Sequence, residues 1–170
     1  LREARYVVCC DGAACHWSQC DAIVGDGDSV PEELRNRLIQ IDEQEDNDLT
    51  KATRYCLSKG MRRIAYLGAT GRREDHTLGN ISLMVRYARE MGVEPLMATD
   101  DGWFVVAKGE ESFESFAGQQ VSIFNVDCRQ LSSEGLTWTS YPYSQLWQGT
   151  LNEAQGSTFK FMGDGYYLVY

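Results

Sequence analysis

Four aspartates stand where this chain could handle phosphate. Asp11 follows the apolar run Tyr6–Cys10 and precedes Gly12, while Asp26 and Asp28 sit in Gly25-Asp26-Gly27-Asp28-Ser29 after the apolar run Ala22–Val24. In a parallel α/β sheet, ligands bind outside the carboxyl ends of the strands. Aspartates one residue apart in a glycine-flanked turn can both reach a hard cation, and magnesium keeps coordination positions for phosphate oxygens. Either motif alone also reads as a solvated polar turn, since Asp and Gly are common turn residues.

Asp48 closes Gln44-Glu45-Asp46-Asn47-Asp48, at or near the start of a helical pattern where a carboxylate can cap free N–H groups. A third block is Gly68-Ala69-Thr70-Gly71-Arg72-Arg73-Glu74-Asp75-His76-Thr77. Small residues after a strand let backbone amides approach a phosphate closely, with arginines beside them. The block lacks the Gly-Lys-Ser/Thr ending of a P-loop. Arg72 with Asp75-His76 reads as a buried cluster of opposite charges, in which His76 is a structural hydrogen bonder rather than a base.

The elements that must position these residues change character along the 170 residues. The first half alternates strands and helices. Leu34, Leu38 and Ile41 repeat at helical spacing over 31–41, Leu49, Ala52, Cys56 and Leu57 over 48–59 with Gly60 as cap, and Leu78, Ile81, Val85 and Ala88 lead to Gly92. Between the last two, Arg63–Leu67 is a β-type run. This alternation predicts a mostly parallel sheet covered by helices. Past Val93 short β-rich runs take over: 103–107, 120–126, 136–139, 158–162 and 166–170. Asp101-Gly102, Glu134-Gly135 and Asp164-Gly165 read as the turns between them. The expected architecture is α/β + β: an N-terminal α/β domain over 1–93 with a mostly parallel sheet, joined to an antiparallel β-sandwich over 94–170.

Composition excludes several classes. A net charge of -9 argues against nucleic acid, whose binding needs clustered Lys and Arg. No apolar run approaches the roughly 20 residues of a membrane-spanning helix. The six cysteines (Cys9, Cys10, Cys15, Cys20, Cys56 and Cys128) form no CxxC pair and no zinc-type array with His16 or His76. They read as buried free thiols of a reducing, cytoplasmic setting. No signal-peptide pattern is visible, and residues 1–6 read as the tail of a helix, so the chain is expected to start inside a fold.

Together the blocks resemble the thiamine pyrophosphokinase family. The resemblance rests on Cys10-Asp11-Gly12-Ala13-Ala14, Gly25-Asp26-Gly27-Asp28-Ser29, Asp46-Asn47-Asp48-Leu49-Thr50-Lys51-Ala52, and Leu67-Gly68-Ala69-Thr70-Gly71 running into Asp75-His76-Thr77-Leu78 and Asn80. Glu134-Gly135-Leu136 and Gly149-Thr150-Leu151-Asn152-Glu153 extend it over nearly the whole chain. It implies transfer of a diphosphoryl group from ATP to the thiamine hydroxyl, giving thiamine diphosphate and AMP. It also implies magnesium held by Asp11, Asp26, Asp28 and Asp48, catalysis by Asp26, Asp28 and Asp48, and a homodimer binding thiamine between opposite subunits.

By the same resemblance Gln44 and Asp48 face thiamine, and Gly68, Thr70, Gly71, Arg72, Asp75 and Asn80 lie near the nucleotide. Trp138, Trp147 and Asn152 are candidates for an aromatic and polar wall around the cationic thiazolium, the alternative being that both tryptophans are sandwich core. The sequence departs from the family at Leu151, where serine is usual, and at Gly27, where a large apolar residue is commoner. The interval from Ala14 to Gly25 is also short. The alternatives are a non-catalytic thiamine or nucleotide sensor on the same fold and, more distantly, a metal-dependent glycosyltransferase or phosphoesterase built on Asp26-Gly27-Asp28. The second leaves Gly68–Asn80 unexplained.

Overall fold

Three short strands carry the acidic loops. β1 (Val8–Cys10), β2 (Ala22–Gly25) and β3 (Leu38–Gln40) form a parallel sheet in the order β1-β2-β3, with Ile23 opposite both Cys9 and Leu38. The central strand is buried along its whole length, as expected of an all-apolar strand covered on both faces. In this computed structural model, which describes residues 4–170, the sheet belongs to a first compact unit ending at Ile64. Its core gathers Cys9, Ala14, Cys20, Ile23 and Val30, with Val7, Trp17, Leu34 and Leu38 packed against them. The helix tail expected over residues 1–6 falls partly outside the described residues, and Ala4–Tyr6 is irregular rather than helical.

The helical spacing over 31–41 does not produce an α-helix. A 3₁₀ turn covers Glu32–Arg37, and Leu38 then enters β3. The reason is tertiary: Arg37 donates to the carbonyls of Ser18 and Cys20, both at 2.9 Å, and draws the chain alongside β2. Pairing with β2 then outweighs the apolar period.

The second helical pattern does form a helix, α1 (Asp48–Ser58). Its N-cap is Asn47, whose side chain accepts from the Thr50 N–H at 3.0 Å, rather than Asp48, which occupies the first helical turn. The chain leaves the helix through Gly60 at φ +79°, with the Met61 N–H bonded to the Cys56 carbonyl at 3.0 Å. Its buried residues are Thr50, Lys51, Ala52, Thr53 and Cys56, so the leucines that marked the helix are not its most buried residues.

The second unit starts at Ala65. Its main sheet runs β4 (Arg63–Leu67), β5 (Glu94–Ala98), β6 (Trp103–Glu114), β11 (Thr158–Val169) and β8 (Ile123–Asn125), with β9 (Leu131–Glu134) also on β11. β7 (Gln120–Val121) pairs separately with β10 (Asn152–Glu153). β4 therefore joins the sheet of the second unit, and the parallel sheet stops at three strands. β5 lies outside the expected β-rich runs and forms an antiparallel hairpin with β6 through the expected Asp101-Gly102 turn, where Thr99 takes the Asp101 and Gly102 N–H groups. The core holds Val121, Ile123, Ala154, Phe161 and Tyr167, with the Phe161 and Tyr167 rings edge-on at 5.6 Å.

α2 (Glu74–Met91) buries Met84, Val85 and Tyr87 and ends at Gly92 in the left-handed conformation. Leu78, expected on its apolar face, is 64% exposed. Near its C-terminus Arg89 bonds Asp127 at 2.5 Å and lies 4.8 Å from the Tyr166 ring centre, which fixes the helix to the loop after β8 and to β11.

Three β expectations change for identifiable reasons. The run 120–126 splits at Ser122, whose backbone pairs with Tyr170, so β7 and β8 enter different sheets. Over 136–139 only Leu136 forms a bridge, to Ala154, because the Asn152 side chain takes both the N–H and the carbonyl of Trp138 in place of a partner strand. Asp164-Gly165 is not a turn between strands but a bulge inside β11. There Asp164 accepts from the Arg129 and Gln130 N–H groups, and Asp127 accepts from that of Tyr166, so carboxylates replace the missing ladder carbonyls.

One close approach in the first unit is testable. A Cβ on Gly25 would lie 2.8 Å from Cβ of Asp11. Gly25→Ala should therefore destabilise the protein by about 1–3 kcal/mol, read as a lowered midpoint in urea or thermal unfolding; an unchanged midpoint would remove this contact as a constraint.

Candidate active site

Asp11 is the anchor of the acidic region. It follows β1 at the head of a 3₁₀ turn over Asp11–Cys15, is 8% exposed, and holds a φ of +35°, unusual for a residue with a side chain. Its two carboxylate oxygens accept from the loop after β2: Oδ1 from the Gly27 N–H at 3.1 Å and Oδ2 from the Ser29 N–H at 3.2 Å. A buried carboxylate needs such donors, and here they bind the loops at two neighbouring strand ends to each other. Gly27 supplies a backbone at φ +86°, and Leu38 fills the space a side chain there would need, with Cδ2 2.6 Å from an ideal Cβ. Leu38 thus takes up the volume released by the glycine.

The other two carboxylates of this loop are more open. Asp26 is half-buried and its Oδ1 accepts from the Asp28 N–H at 3.2 Å, an Asx-type turn. Asp28 itself is exposed.

Asp48 is tied to the end of β1 through its backbone. The Cys10 thiol donates to the Asp48 carbonyl at 3.7 Å. Burial pushes that thiol up to about 12, with the negative charge of Asp48 adding to the effect. The Asp48 carboxylate is 41% exposed and pairs with Lys51 at 3.5 Å. The loop leading to it is locked by Arg54, which binds Glu43 at 3.6 Å and also Asp46. Gln44 is exposed and donates to the Asp42 carbonyl at 3.2 Å.

Among the described residues no three His, Cys, Asp or Glu side chains converge on a point that could hold a metal. The donor chemistry nonetheless fits magnesium, which takes one or two carboxylates together with phosphate oxygens and water. Asp26 and Asp28 are the accessible hard donors; Asp11 has both oxygens committed to the loop.

The glycine block lies in the second unit. Gly68 and Gly71 adopt φ +66° and +82°, and Asn80 on α2 donates to the Ala69 carbonyl at 2.8 Å, fastening the turn onto the helix. The turn and the start of α2 enclose a pocket of about 290 Å³ lined by Gly68, Thr70, Arg72, Arg73, His76 and Asn80. Backbone amides at a helix start together with two guanidinium groups suit an anion.

The expected buried cluster is not present: the ion pair is exposed and is made by Arg73. Its guanidinium binds Asp75 through Nε at 3.1 Å and Nη2 at 2.6 Å. Arg73 and the His76 N–H hold the Asp75 carboxyl below its usual range. The sequence pattern points to Arg72, whereas the partner of Asp75 is Arg73; its place at the N-cap of α2, two residues before Asp75, is the signal that identifies it.

The tryptophans are not core. Trp138 is 61% and Trp147 69% exposed, whereas Asn152 is buried and spends its amide on the Trp138 backbone. Asn152 thus sets the position of Trp138. Leu151, beside it, is exposed and held at φ +61°. Cysteine burial is mostly as expected, except that Cys15 is exposed; all six are free thiols.

Residues 1–94 match the family described as thiamin pyrophosphokinase, catalytic domain, and residues 102–170 match thiamin pyrophosphokinase, substrate-binding domain. The fold is similar to that of thiamine pyrophosphokinase from Bacillus subtilis, at a TM-score of 0.75 and 20% identity over 95% of this chain and 84% of that one. It is also similar to thiamin pyrophosphokinase from Candida albicans, at 0.79 and 17% over 99% and 81%, and to the yeast enzyme, at 0.74 and 15% over 95% and 76%. No curated protein sequence matches this chain.

Proposed function

The chain belongs to the thiamin pyrophosphokinase family, ATP-using enzymes that transfer diphosphate to thiamine, and we propose that Asp26, Asp28 and Asp48 are the residues that carry this reaction here. The observation that carries the proposal is the pinning of two loops by Asp11, which leaves Asp26 and Asp28 open on a rigid turn. Preorganised charge of this kind lowers a barrier because little reorganises during reaction.

In this reading Asp26 and Asp28 hold magnesium and Asp11 sets the loop that presents them. The metal, when bound, neutralises charge on the triphosphate so that an alcohol can approach its β-phosphorus. Asp48 orients the thiamine hydroxyl and receives its proton, and Gln44, on the same approach to α1, faces the same substrate. Arg72, Arg73 and the amides around Thr70 and Gly71 receive the nucleotide phosphates. Trp138 and Trp147 cover the thiazolium, a cation-on-ring contact of about 0.5–2 kcal/mol. In this reading residues 1–93 are the catalytic portion, which takes in the first unit together with β4 and α2 of the second, and 94–170 the thiamine-binding β-sandwich portion; the separate catalytic and substrate-binding matches support this division by function.

The working unit is a homodimer in which thiamine lies between subunits. Supporting this are Trp138, Tyr141, Leu146, Trp147 and Leu151, large apolar side chains that are each at least half exposed. A cytoplasmic setting is supported by six free thiols, and no helix of the described residues is long and apolar enough to cross a membrane.

The direct test is formation of AMP and thiamine diphosphate from ATP, magnesium and thiamine; ATP hydrolysis without thiamine diphosphate would overturn the assignment of these residues to diphosphoryl transfer. Asp28→Asn should lower kcat by about 100-fold or more at limiting magnesium, with the unfolding midpoint preserved. Wild-type turnover in the folded variant would remove Asp28 from the metal site. Arg73→Ala should raise KM for ATP by about tenfold while leaving KM for thiamine within about twofold; equal changes for both substrates would mean that Arg73 only braces α2. For the dimer, mixing inactive Asp48→Asn chains with inactive Trp138→Ala/Trp147→Ala chains should restore activity on co-refolding, since one site per mixed dimer is intact. Verified heterodimers without activity would exclude the shared site.

A further inference from the structure

Lys51 on α1 is buried to 3% exposure, and of the other buried residues of that helix, Thr50, Ala52, Thr53 and Cys56, none is charged. An ammonium removed from water is strongly unfavourable unless an anion accompanies it. The anion given to it is Asp48, one helical turn earlier, with Oδ1 3.5 Å from Nζ. The pair is asymmetric: the lysine side chain is 4% exposed and the aspartate 41%. An exposed ion pair contributes little to stability, and a buried one is often replaceable by apolar side chains without loss. Stability alone is therefore a weak reason to bury a lysine on this helix.

A different use fits the geometry. The backbone at Asp48 is already fixed twice, by the Asn47 cap at the helix start and by the Cys10 thiol on its carbonyl. What remains free is the rotation of its carboxylate, and the Lys51 ammonium approaches one oxygen of it from the protein side. We propose that Lys51 is a positioning residue: its buried ammonium fixes the Asp48 carboxylate so that the second oxygen faces the thiamine hydroxyl. Lys51 touches neither substrate and acts through Asp48. The inference rests on the role given to Asp48 above.

The test uses the full chain with ATP, magnesium and thiamine, and measures kcat, both KM values and the unfolding midpoint. Lys51→Met should lower kcat by about 10- to 100-fold with both KM values within about twofold. Asp48→Asn should lower kcat at least as far, and adding Lys51→Met to it should change kcat by no more than about twofold, because the two residues act as one unit. Lys51→Arg, which keeps a cation beside Asp48, should retain more activity than Lys51→Met. These coupled losses in kcat are not expected of a lysine that only stabilises the fold.

Wild-type kcat in folded Lys51→Met beside an inactive Asp48→Asn would overturn the proposal and leave the role of Asp48 standing. Wild-type kcat in Asp48→Asn would instead remove that role, and the proposal with it. A raised KM for ATP at unchanged kcat would make Lys51 a phosphate contact and overturn the proposal as well. If Lys51→Met does not fold, Lys51→Gln is judged by the same criteria.

Discussion

The acidic region depends on one buried carboxylate. Asp11 accepts from the Gly27 and Ser29 N–H groups and so bonds the loop after β1 to the loop after β2. Parallel neighbours have their carboxyl ends side by side, so a single short side chain can span the gap. The surroundings conform to this bond. Gly25 has no side chain because a Cβ there would meet Asp11, and Gly27 bends through positive φ with Leu38 in the space it leaves. Asp11 itself carries an unfavourable φ. Strain of this kind persists where the surrounding structure over-determines the conformation.

Division of labour among carboxylates follows from burial. Asp11, with both oxygens engaged, organises the turn; Asp26 holds the turn locally; Asp28 is left for solvent or ligand. Asp48 stands apart, at the start of a helix and beside a buried lysine. Four residues of one chemical type thus take different roles because their neighbours differ. A negative net charge is compatible with a phosphate-handling enzyme under these conditions, since Arg72 and Arg73 stand side by side at the glycine turn while the carboxylates sit on separate loops.

In the second unit, side chains repeatedly stand in for strands. Asn152 holds both backbone groups of Trp138, and Asp127 and Asp164 fill the bulge in β11. Because Asn152 satisfies the Trp138 backbone, the indole can project outward at 61% exposure. The result is an exposed indole whose own backbone groups are both hydrogen-bonded.

The sequence by itself determined what local chemistry controls. Gly60 and Gly92 closed α1 and α2 because left-handed caps favour glycine, and Asp101-Gly102 marked its hairpin because Asp and Gly favour turns. The order of the acidic and glycine blocks was legible for the same reason, as each is a short contiguous motif. Tertiary structure decided the rest. Leu34, Leu38 and Ile41 have a helical period, yet Leu38 pairs with Ile23, since an open edge of β2 offers backbone partners that a surface turn cannot match. Arg73 rather than Arg72 reaches Asp75, a choice made by the direction in which α2 starts. Lys51 looked like any charged helix residue; only the packing of α1 places its ammonium out of water, because a helical period locates a face but not which face the sheet will cover.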